Sequence, residues 1–509
     1  MKHLLPLTFF SIASLQGAIP LRVNPMFSDH MVLQQGMPIP VWGTAAPGEV
    51  VTIGVLGQAK ATRSGPDSKW MAILDPLDAA GAPLQMVVSS SAGKFVFNDV
   101  LVGEVWFGAG QSNMAVKMAG AAKKDPVLAR HLERLPVPGL RLFSNGWHIA
   151  GRDKVLRFSA LQYSFGLELH KKLGVPIGLI YRSSPGTPSR RWLTPGMAEA
   201  DERFASYFAT ANGVRLSDYN RERGNIHDNW REQVAKAKAI GKRAPRAPDK
   251  IGGLFESRIL PCIPYAIRGV LWDQGESKTE VPGVPDQFVV TNALIKGWRK
   301  AWGQGDFPFL HVQKPSGGVC AWDPSNPTNH GCVDYDTAKP LPKKRTKPHE
   351  MAYPMDHIRM ATIPNAPLVP TIDLATGIHP VNKSGYGKRA SQVALGAVYG
   401  HNVAISGPVY KTHRVEGWKI RVFFNHIGKG LAFRHGDSLD GFEISDGQTW
   451  AWADAEIDRN TVVVGNPAIT TPLHVQYAFH EAPAFANLFN KDGLPAQPFT
   501  TQFWVRKEK

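Results

Sequence analysis

The middle of the chain alternates short apolar runs with helix-like segments, and this alternation constrains the fold more than any other feature. Strand-like apolar runs occur at 102–109, 177–181, 266–272 and 368–373. Segment 159–173 has the spacing of apolar residues that is typical of helices, and segment 383–399 is an Ala-rich helix candidate. Because strands that alternate with helices pair in parallel, the pattern predicts an α/β core with a largely parallel sheet.

Both ends of the chain carry a different pattern. Residues 20–100 and 407–509 contain short segments rich in β-branched residues and bounded by Gly or Pro. The 49 glycines and 40 prolines among 509 residues are enough for the many turns that such regions need. We therefore predict β-sandwich-like regions on both sides of the α/β core.

The predicted organisation has four parts. Residues 1–18 form a signal peptide, 19–100 an N-terminal β domain, 101–405 the α/β domain, and 406–509 a C-terminal β domain. Two insertions interrupt the α/β domain, one near 198–250 and one near 316–352. The first is polar with a helical pattern, and the second is rich in Pro and Asn and is typical of an irregular loop.

The N-terminus has the features of an export signal. Lys2 precedes a short apolar run from Leu4 to Leu15, and small residues follow at Gly17 and Ala18. We expect a secreted or periplasmic protein, with no apolar run long enough to span a membrane. Export allows disulfides. The three cysteines are consistent with a disulfide between Cys320 and Cys332 and a buried thiol at Cys262.

The net charge is strongly positive, with 58 Lys and Arg against 42 Asp and Glu, which gives +16 at pH 7. Such a charge favours acidic partners, among them nucleic acid and acidic glycans. The excess is spread along the chain, and its densest runs stand among Pro, Ala and Thr in loop-like sequence. We therefore expect no nucleic-acid partner.

Four polar segments follow predicted strands, where ligands of α/β sheets bind. They are 108–114 (GAGQSNM), 183–188 (SSPGTP), 272–277 (WDQGES) and 377–380 (GIHP). The first presents Ser112, and the last presents His379 beside a rigid proline. A nucleophile and a general base from distant parts of the chain are one arrangement for acyl transfer. Taken singly, each segment also fits a plainer structure, such as a helix cap or a turn.

These four segments, in this order, resemble the sialate O-acetylesterase family, a branch of the SGNH-like carbohydrate esterases. The N-terminal stretches FSDHMVLQQ (27–35) and PIPVWG (38–43) look like the signature of that family. IPYAIRGV (263–270) and NLFNKDGLPA (487–496) are similarly characteristic. The resemblance covers nearly all of the chain after the signal, apart from the two insertions. It implies an SGNH-hydrolase-like parallel sheet core and the hydrolysis of O-acetyl esters on sugars without a metal or other cofactor.

Carried over residue by residue, the resemblance makes Ser112 the nucleophile and His379 the general base. The backbone N–H groups of Ser112 and Gly186 and the side chain of Gln274 become candidates for the oxyanion hole. Many members carry an Asp two or three residues before the histidine, where this chain has Gly377 and Thr376. The third member of the triad is therefore open.

The local candidates for the triad acid are Asp373 and Glu276, and a third possibility is that the position is empty. The resemblance favours sialic acids as the acetylated substrate, and acetylated xylan or pectin are alternatives. A catalytically silent glycan-binding protein is an alternative of another class. The oligomeric state is not readable from the sequence.

Overall fold

The computed structural model describes residues 19–245, 251–314, 341–342, 351–374, 379–434, 436–480, 483 and 485–502. The predicted signal peptide lies outside these residues, as do Cys320 and Cys332 and most of the predicted insertion at 316–352. Cys262 is a buried free thiol, as the sequence predicted.

Eight strands form the N-terminal part of the molecule. They are β1 (Arg22–Val23), β2 (Val32–Gln34), β3 (Ile39–Thr44), β4 (Val50–Val55), β5 (Gln58–Arg63), β6 (Lys69–Leu74), β7 (Ala80–Ser90) and β8 (Gly93–Gly110). Strict alternation of exposed and buried residues in β6 shows that one face of this strand packs on the core. β1, β3 and β6 form one sheet, and β4, β5 and β7 join the first half of β8.

Strand β8 crosses the predicted boundary at residue 100. Its first half pairs antiparallel with β7, and its second half becomes the central strand of the α/β sheet. The continuous ladder joins the N-terminal strands to the core in one mixed sheet of 11 strands.

The core of this sheet is parallel. Its further strands are β9 (Val137–Phe143), β10 (Trp147–Ala150), β11 (Ile177–Tyr181), β12 (Gly269–Asp273), β13 (Phe309–Val312) and β14 (Leu368–Val369). The order is β10-β9-β11-β8-β12-β13-β14, with β10 antiparallel at one edge. The strand predicted over 368–373 is wrong in length, because Pro370 has no N–H to continue the ladder after Val369.

Helices cover both faces of the sheet. They are α1 (Ser112–Ala115), α2 (Met118–Ala121), α3 (Pro126–Glu133), α4 (Arg152–Leu156), α5 (Ala160–Leu173), α6 (Pro195–Glu199), α7 (Glu202–Asn212), α8 (Leu216–Ala239), α9 (Gln287–Trp302), α10 (Ala352–Met360) and α11 (Lys383–Ala397). Short helical turns occupy Ser189–Trp192, Phe255–Ile259 and Leu260–Cys262.

The two faces of the sheet have separate cores. Phe107 points to the face covered by α9, where it packs edge to face against Trp298 with ring centroids 6.1 Å apart. Such a geometry is typical of aromatic pairs. Trp106 points to the opposite face and meets Phe165 of α5 at 5.1 Å. The alternation follows from the two-residue period of a strand.

Helix α5 illustrates how the sequence sets its own limits. Ser159 caps its start by accepting a hydrogen bond from the N–H of Gln162, and Gly174 ends it in a left-handed conformation. α11 lies against α5 so closely that a Cβ at Gly387 would be 2.4 Å from the Cβ of Ser164. The predicted helices at 159–173 and 383–399 thus pair on one face of the sheet.

The C-terminal part is again β. Its strands are β15 (Val409–Glu416), β16 (Lys419–Asn425), β17 (Leu431–Phe433), β18 (Phe442–Ser445), β19 (Trp450–Trp452), β20 (Asp454–Asp458), β21 (Thr461–Gly465), β22 (His474–Tyr477), β23 (Leu488–Asn490) and β24 (Phe499–Thr500). Two four-stranded sheets, β15-β16-β21-β20 and β19-β18-β22-β24, contribute side chains to one apolar core. Among the described residues no helix is long and apolar enough to cross a membrane.

Candidate active site

The loops that follow three neighbouring strands meet at the carboxyl edge of the sheet. β8 lies between β11 and β12, and Gly110 at its end is in register with Asp273. The N–H of Gln111 donates to the carbonyl of Asp273 at 2.9 Å, and the N–H of Ser184 donates to the carbonyl of Gly110 at 2.8 Å. Three of the four polar segments singled out in the sequence are therefore in direct contact.

The turn that carries Ser112 requires a glycine before it. Gly110 has φ +120°, and a Cβ at this position would lie 2.1 Å from the carbonyl oxygen of Asp273. No other residue type fits without moving β12. The turn makes Ser112 the first residue of α1 and leaves its side chain partly exposed at the sheet edge.

Gln111 is the residue that ties these loops together, and sequence reasoning missed it. Its Oε1 accepts from the side chain of Gln274 at 2.8 Å and from the backbone N–H groups of Gly275 and Ser277 at 3.3 and 3.2 Å. Its Nε2 donates to the hydroxyls of Ser112 and Ser277, both at 3.4 Å. A buried glutamine inside a glycine turn was the available signal, because a buried amide needs partners.

The predicted oxyanion groups adjoin the same centre. Nε2 of Gln274 donates to Oε1 of Gln111 and also to the carbonyl of Thr187 at 2.6 Å, so both of its N–H bonds are used within the protein. Gly186, one residue before Thr187, is exposed with φ +63°. Gln274 thus fixes the Gly186 loop against the Ser112 turn.

A cluster of charged groups lies beneath the turn, and we call it the buried charge cluster: Asp273, Glu276, Lys314 and Lys383, joined by Asn113. The ammonium of Lys314 is 2.8 Å from Oδ1 of Asp273 and 2.7 Å from Oε1 of Glu276. The amide of Asn113 donates to Glu276, and its Oδ1 accepts from Lys383 at 2.6 Å. Lys383 is the first residue of α11, so the cluster joins α11 to the residue that follows Ser112.

Burial sets the protonation of this cluster. It lowers the pKa of Lys383 to about 7, because the low-dielectric interior disfavours the charged ammonium. Burial also acts to lower the pKa of Lys314, but the nearby carboxylates of Asp273 and Glu276 outweigh this effect and raise it. Desolvation raises the pKa of Asp273, whereas at Glu276 the Lys314 ammonium outweighs desolvation and lowers the pKa.

His379 and Asp373 stand apart from the hydrogen bonds described above. His379 is exposed, four residues before Lys383, and within the described ranges no hydrogen bond joins it to Ser112, Asp373 or Glu276. Both carboxylate oxygens of the buried Asp373 accept from the guanidinium of Arg389, at 3.1 and 3.0 Å. Residues 375–378 of the fourth segment lie outside the described residues.

No metal arrangement accompanies the site in the described part of the chain, where no group of three or more His, Cys, Asp or Glu side chains could hold an ion. The chemistry that this edge offers is that of a partly exposed hydroxyl, backbone N–H groups, a side-chain amide and a buried carboxylate. Such a set of groups suits acyl transfer through a serine.

Proteins of known kind share both the sequence and the fold. The chain is 24% identical to a sialate O-acetylesterase of Mus musculus over 96% of each chain. It is 26% identical to a sialate O-acetylesterase of Homo sapiens over 61% of this chain and 60% of the human one. A crystal structure of a carbohydrate acetylesterase from Xanthomonas citri matches with a TM-score of 0.74 and 24% identity, covering 95% of this chain and all of that one. No family model matches the chain.

The structural match defines the class of fold first: an α/β core with flanking β-sheets, which the chain shares with a carbohydrate acetylesterase. Within that class the chain is a relative of the sialate O-acetylesterases, as its motifs predicted.

Proposed function

We propose that this protein removes O-acetyl groups from sugars through an acetyl-enzyme formed on Ser112. The observation that carries the proposal is the contact between the Ser112 turn and the loops after β11 and β12, all at one sheet edge. The hydrogen bond from Gln111 holds the partly exposed Ser112 hydroxyl within this contact. The names of the relatives support the same reaction class.

In the proposed reaction Oγ of Ser112 attacks the acetyl carbonyl while His379 removes its proton. The N–H groups of Ser112 and Gly186 stabilise the oxyanion, and Gln274 joins them by exchanging its bond to the Thr187 carbonyl for one to the substrate. The C–O bond to the sugar then breaks, and His379 protonates the departing oxygen. Water attacks the acetyl-enzyme with His379 again as base, and acetate leaves.

His379 is exposed in the free protein, and in this mechanism its imidazole contacts Ser112 only when the substrate is bound. Catalytic hydrogen bonds are often long or poorly aligned in the free enzyme and tighten when substrate binds. Pro380 is buried and α11 begins at Lys383, so the chain that follows this histidine is anchored to the fold.

We propose Glu276 as the acid of the triad in preference to Asp373. Both oxygens of Asp373 already accept a hydrogen bond from the guanidinium of Arg389. Oε2 of Glu276 is buried and, within the described residues, accepts no hydrogen bond. That oxygen is available to the imidazolium N–H that forms when the histidine takes the proton.

The proposed substrates are O-acetylated sialic acids, with acetylated xylan and pectin as the alternatives. The net charge of +16 favours substrates that carry a carboxylate, a property that sialic acid shares with pectin. Acetate release from a panel of O-acetylated sialosides, xylan and pectin fragments chooses among them. Binding without acetate release from any of them would instead support the silent glycan-binding protein.

The decisive variant is Ser112→Ala, assayed with a chromogenic acetate ester. We expect kcat to fall by more than about a thousandfold, because the covalent route is lost. Ser277→Ala is the matched control, since its hydroxyl receives a hydrogen bond of the same length from Gln111. If Ser277→Ala lost the activity and Ser112→Ala kept it, the assignment of the nucleophile would be wrong.

A further inference from the structure

Helix α8 of the polar insertion walls a cavity of about 340 Å³ that the reaction at Ser112 does not use. Three arginines line it: Arg190 from the turn after β11, and Arg223 and Arg231 from α8. Asp228 is the one carboxylate among the described lining residues. We call this site the arginine-lined cavity. Its excess of guanidinium groups gives it a preference for anions.

The three arginines differ in whether a carboxylate neutralises their charge. Arg231 is 3.2 Å from Asp228, and Arg190 is 3.0 Å from Glu280. Nε of Arg223 instead donates to the hydroxyl of Tyr219 at 3.1 Å, and no ion pair joins Arg223 to a carboxylate in the described part of the chain. Its charge is therefore available to a ligand carboxylate, for which the planar guanidinium has a matching geometry.

The remaining lining suits a sugar ring. Pro195 and Ile251 add apolar surface. Tyr219 contributes its hydroxyl, while its ring lies under the guanidinium of Arg223, 5.3 Å from ring centroid to Cζ, and supports that side chain. Nδ2 of Asn220 already donates to Glu199 at 2.8 Å, which leaves Oδ1 as an acceptor for a sugar hydroxyl.

The cavity is attached to the same sheet edge as Ser112. The N–H groups of Ser189 and Arg190 donate to the carbonyls of Lys278 and Thr279, at 3.1 and 3.2 Å. The chain after Gly186 is thereby fixed to the chain after Glu276. The cavity and the Ser112 edge are therefore carried by loops that are hydrogen-bonded to each other.

We infer that the arginine-lined cavity binds a carboxylate-bearing sugar residue of the glycan, with Arg223 as its main contact. The inference rests on the proposed function for the identity of that glycan as substrate, but the binding itself is independent of Ser112. Two sources share this chemistry, a sialylated and a uronate-containing oligosaccharide.

The test is calorimetric titration of the whole protein at low salt with a sialyl-oligosaccharide, an oligogalacturonate and a neutral xylo-oligosaccharide. We expect at least one acidic ligand to bind and the neutral one to bind at least tenfold more weakly. Arg223→Gln should weaken acidic binding about tenfold, which corresponds to about 1.4 kcal/mol. The two acidic arms identify which source the site prefers.

Arg221→Gln is the matched control. Arg221 is an arginine on the same helix, it pairs with Asp218, and it does not line the cavity. This variant should bind as the wild type does. Equal losses in the two variants, absence of binding by both acidic ligands, or equally tight binding of a single-stranded oligonucleotide would each overturn the inference. A Tm unchanged in Arg223→Gln shows that any loss is not unfolding.

This outcome is separable from that of the proposed function. Loss of cavity binding with Ser112-dependent hydrolysis of the chromogenic ester intact would overturn only the cavity. Binding at the cavity without any Ser112-dependent hydrolysis would overturn only the esterase.

Discussion

The buried charge cluster and the arginine-lined cavity contain similar charged residues, but the first supports the fold and the second is open to a ligand. In the cluster Lys314 and Asp273 are 1% and 0% exposed and form an ion pair. In the cavity Arg231 and Asp228 are 69% and 71% exposed, so water already screens their charges. Burial makes the cluster part of the fold, whereas exposure leaves the cavity free to exchange water for a ligand. The comparison predicts that the same kind of substitution has very different costs in the two regions.

The largest effect is expected from Lys314→Met. The change leaves Asp273 and Glu276 buried without their cation, and breaking a buried pair in this way costs about 3–5 kcal/mol. Urea unfolding measures the loss. Lys171→Met is the control, because Lys171 forms a surface pair with Glu168 and its removal should cost less than about 1 kcal/mol. Similar losses in the two variants would contradict the distinction between the regions.

A double variant tests whether Lys314 and Glu276 interact in the folded protein. Combining Lys314→Met with Glu276→Gln removes one of the two stranded carboxylates, so the double variant should be more stable than Lys314→Met alone. Additive losses, measured by the same unfolding experiment, would show that these two groups do not interact.

The next largest effect is expected at the backbone of the site. Gly110→Ala places a Cβ against the carbonyl of Asp273, and we expect a loss of about 2–3 kcal/mol with a strong fall in ester hydrolysis. Gly120→Ala is the control, since no atom lies within 4 Å of a Cβ at that position. Normal stability and activity in Gly110→Ala would mean that the turn is not held as described.

A buried histidine makes the stability depend on pH below neutrality. Burial lowers the pKa of His311 to about 4, from 6.5 in the unfolded chain. The unfolded state therefore takes up the proton first, so the stabilisation is complete above pH 6.5 and falls as the pH drops towards 4. At pH 5 the loss is about 2 kcal/mol for this one histidine.

Urea midpoints at pH 7.5 and pH 5 measure this dependence. His311→Asn should show a smaller difference between the two pH values than the wild type. His401→Asn is the control, because that imidazole is exposed on the surface, and it should keep the wild-type difference. An unchanged difference in His311→Asn would contradict the prediction.

The smallest effect belongs to the cavity. Arg231→Gln removes an exposed ion pair and should change the free energy of unfolding by less than about 0.5 kcal/mol. Urea unfolding at pH 7.5 checks it. A cost comparable to that of Lys314→Met would show that the cavity supports the fold as the cluster does.

The sequence predicted several of the strands, helices and loops that position the site. The segment predicted as a buried strand at 177–181 coincides with β11, and the helix predicted at 159–173 begins one residue later as α5. The polar segments carrying Ser112, Gly186 and Gln274 lie at one sheet edge. The strand at 368–373 was too long, because the apolar pattern ignored the missing N–H of Pro370.

The local elements could be predicted from the sequence, since strand and helix periods, glycine turns and helix caps depend on neighbours a few residues away. Which charges are buried together became visible only in the folded protein. Lys314 follows β13, Glu276 follows β12 and Lys383 begins α11, and no local pattern distinguishes these lysines from those at the surface. The protonation of a buried group depends on the groups that replace its hydrating water. Here those groups come from distant strands that only the folded sheet brings into contact.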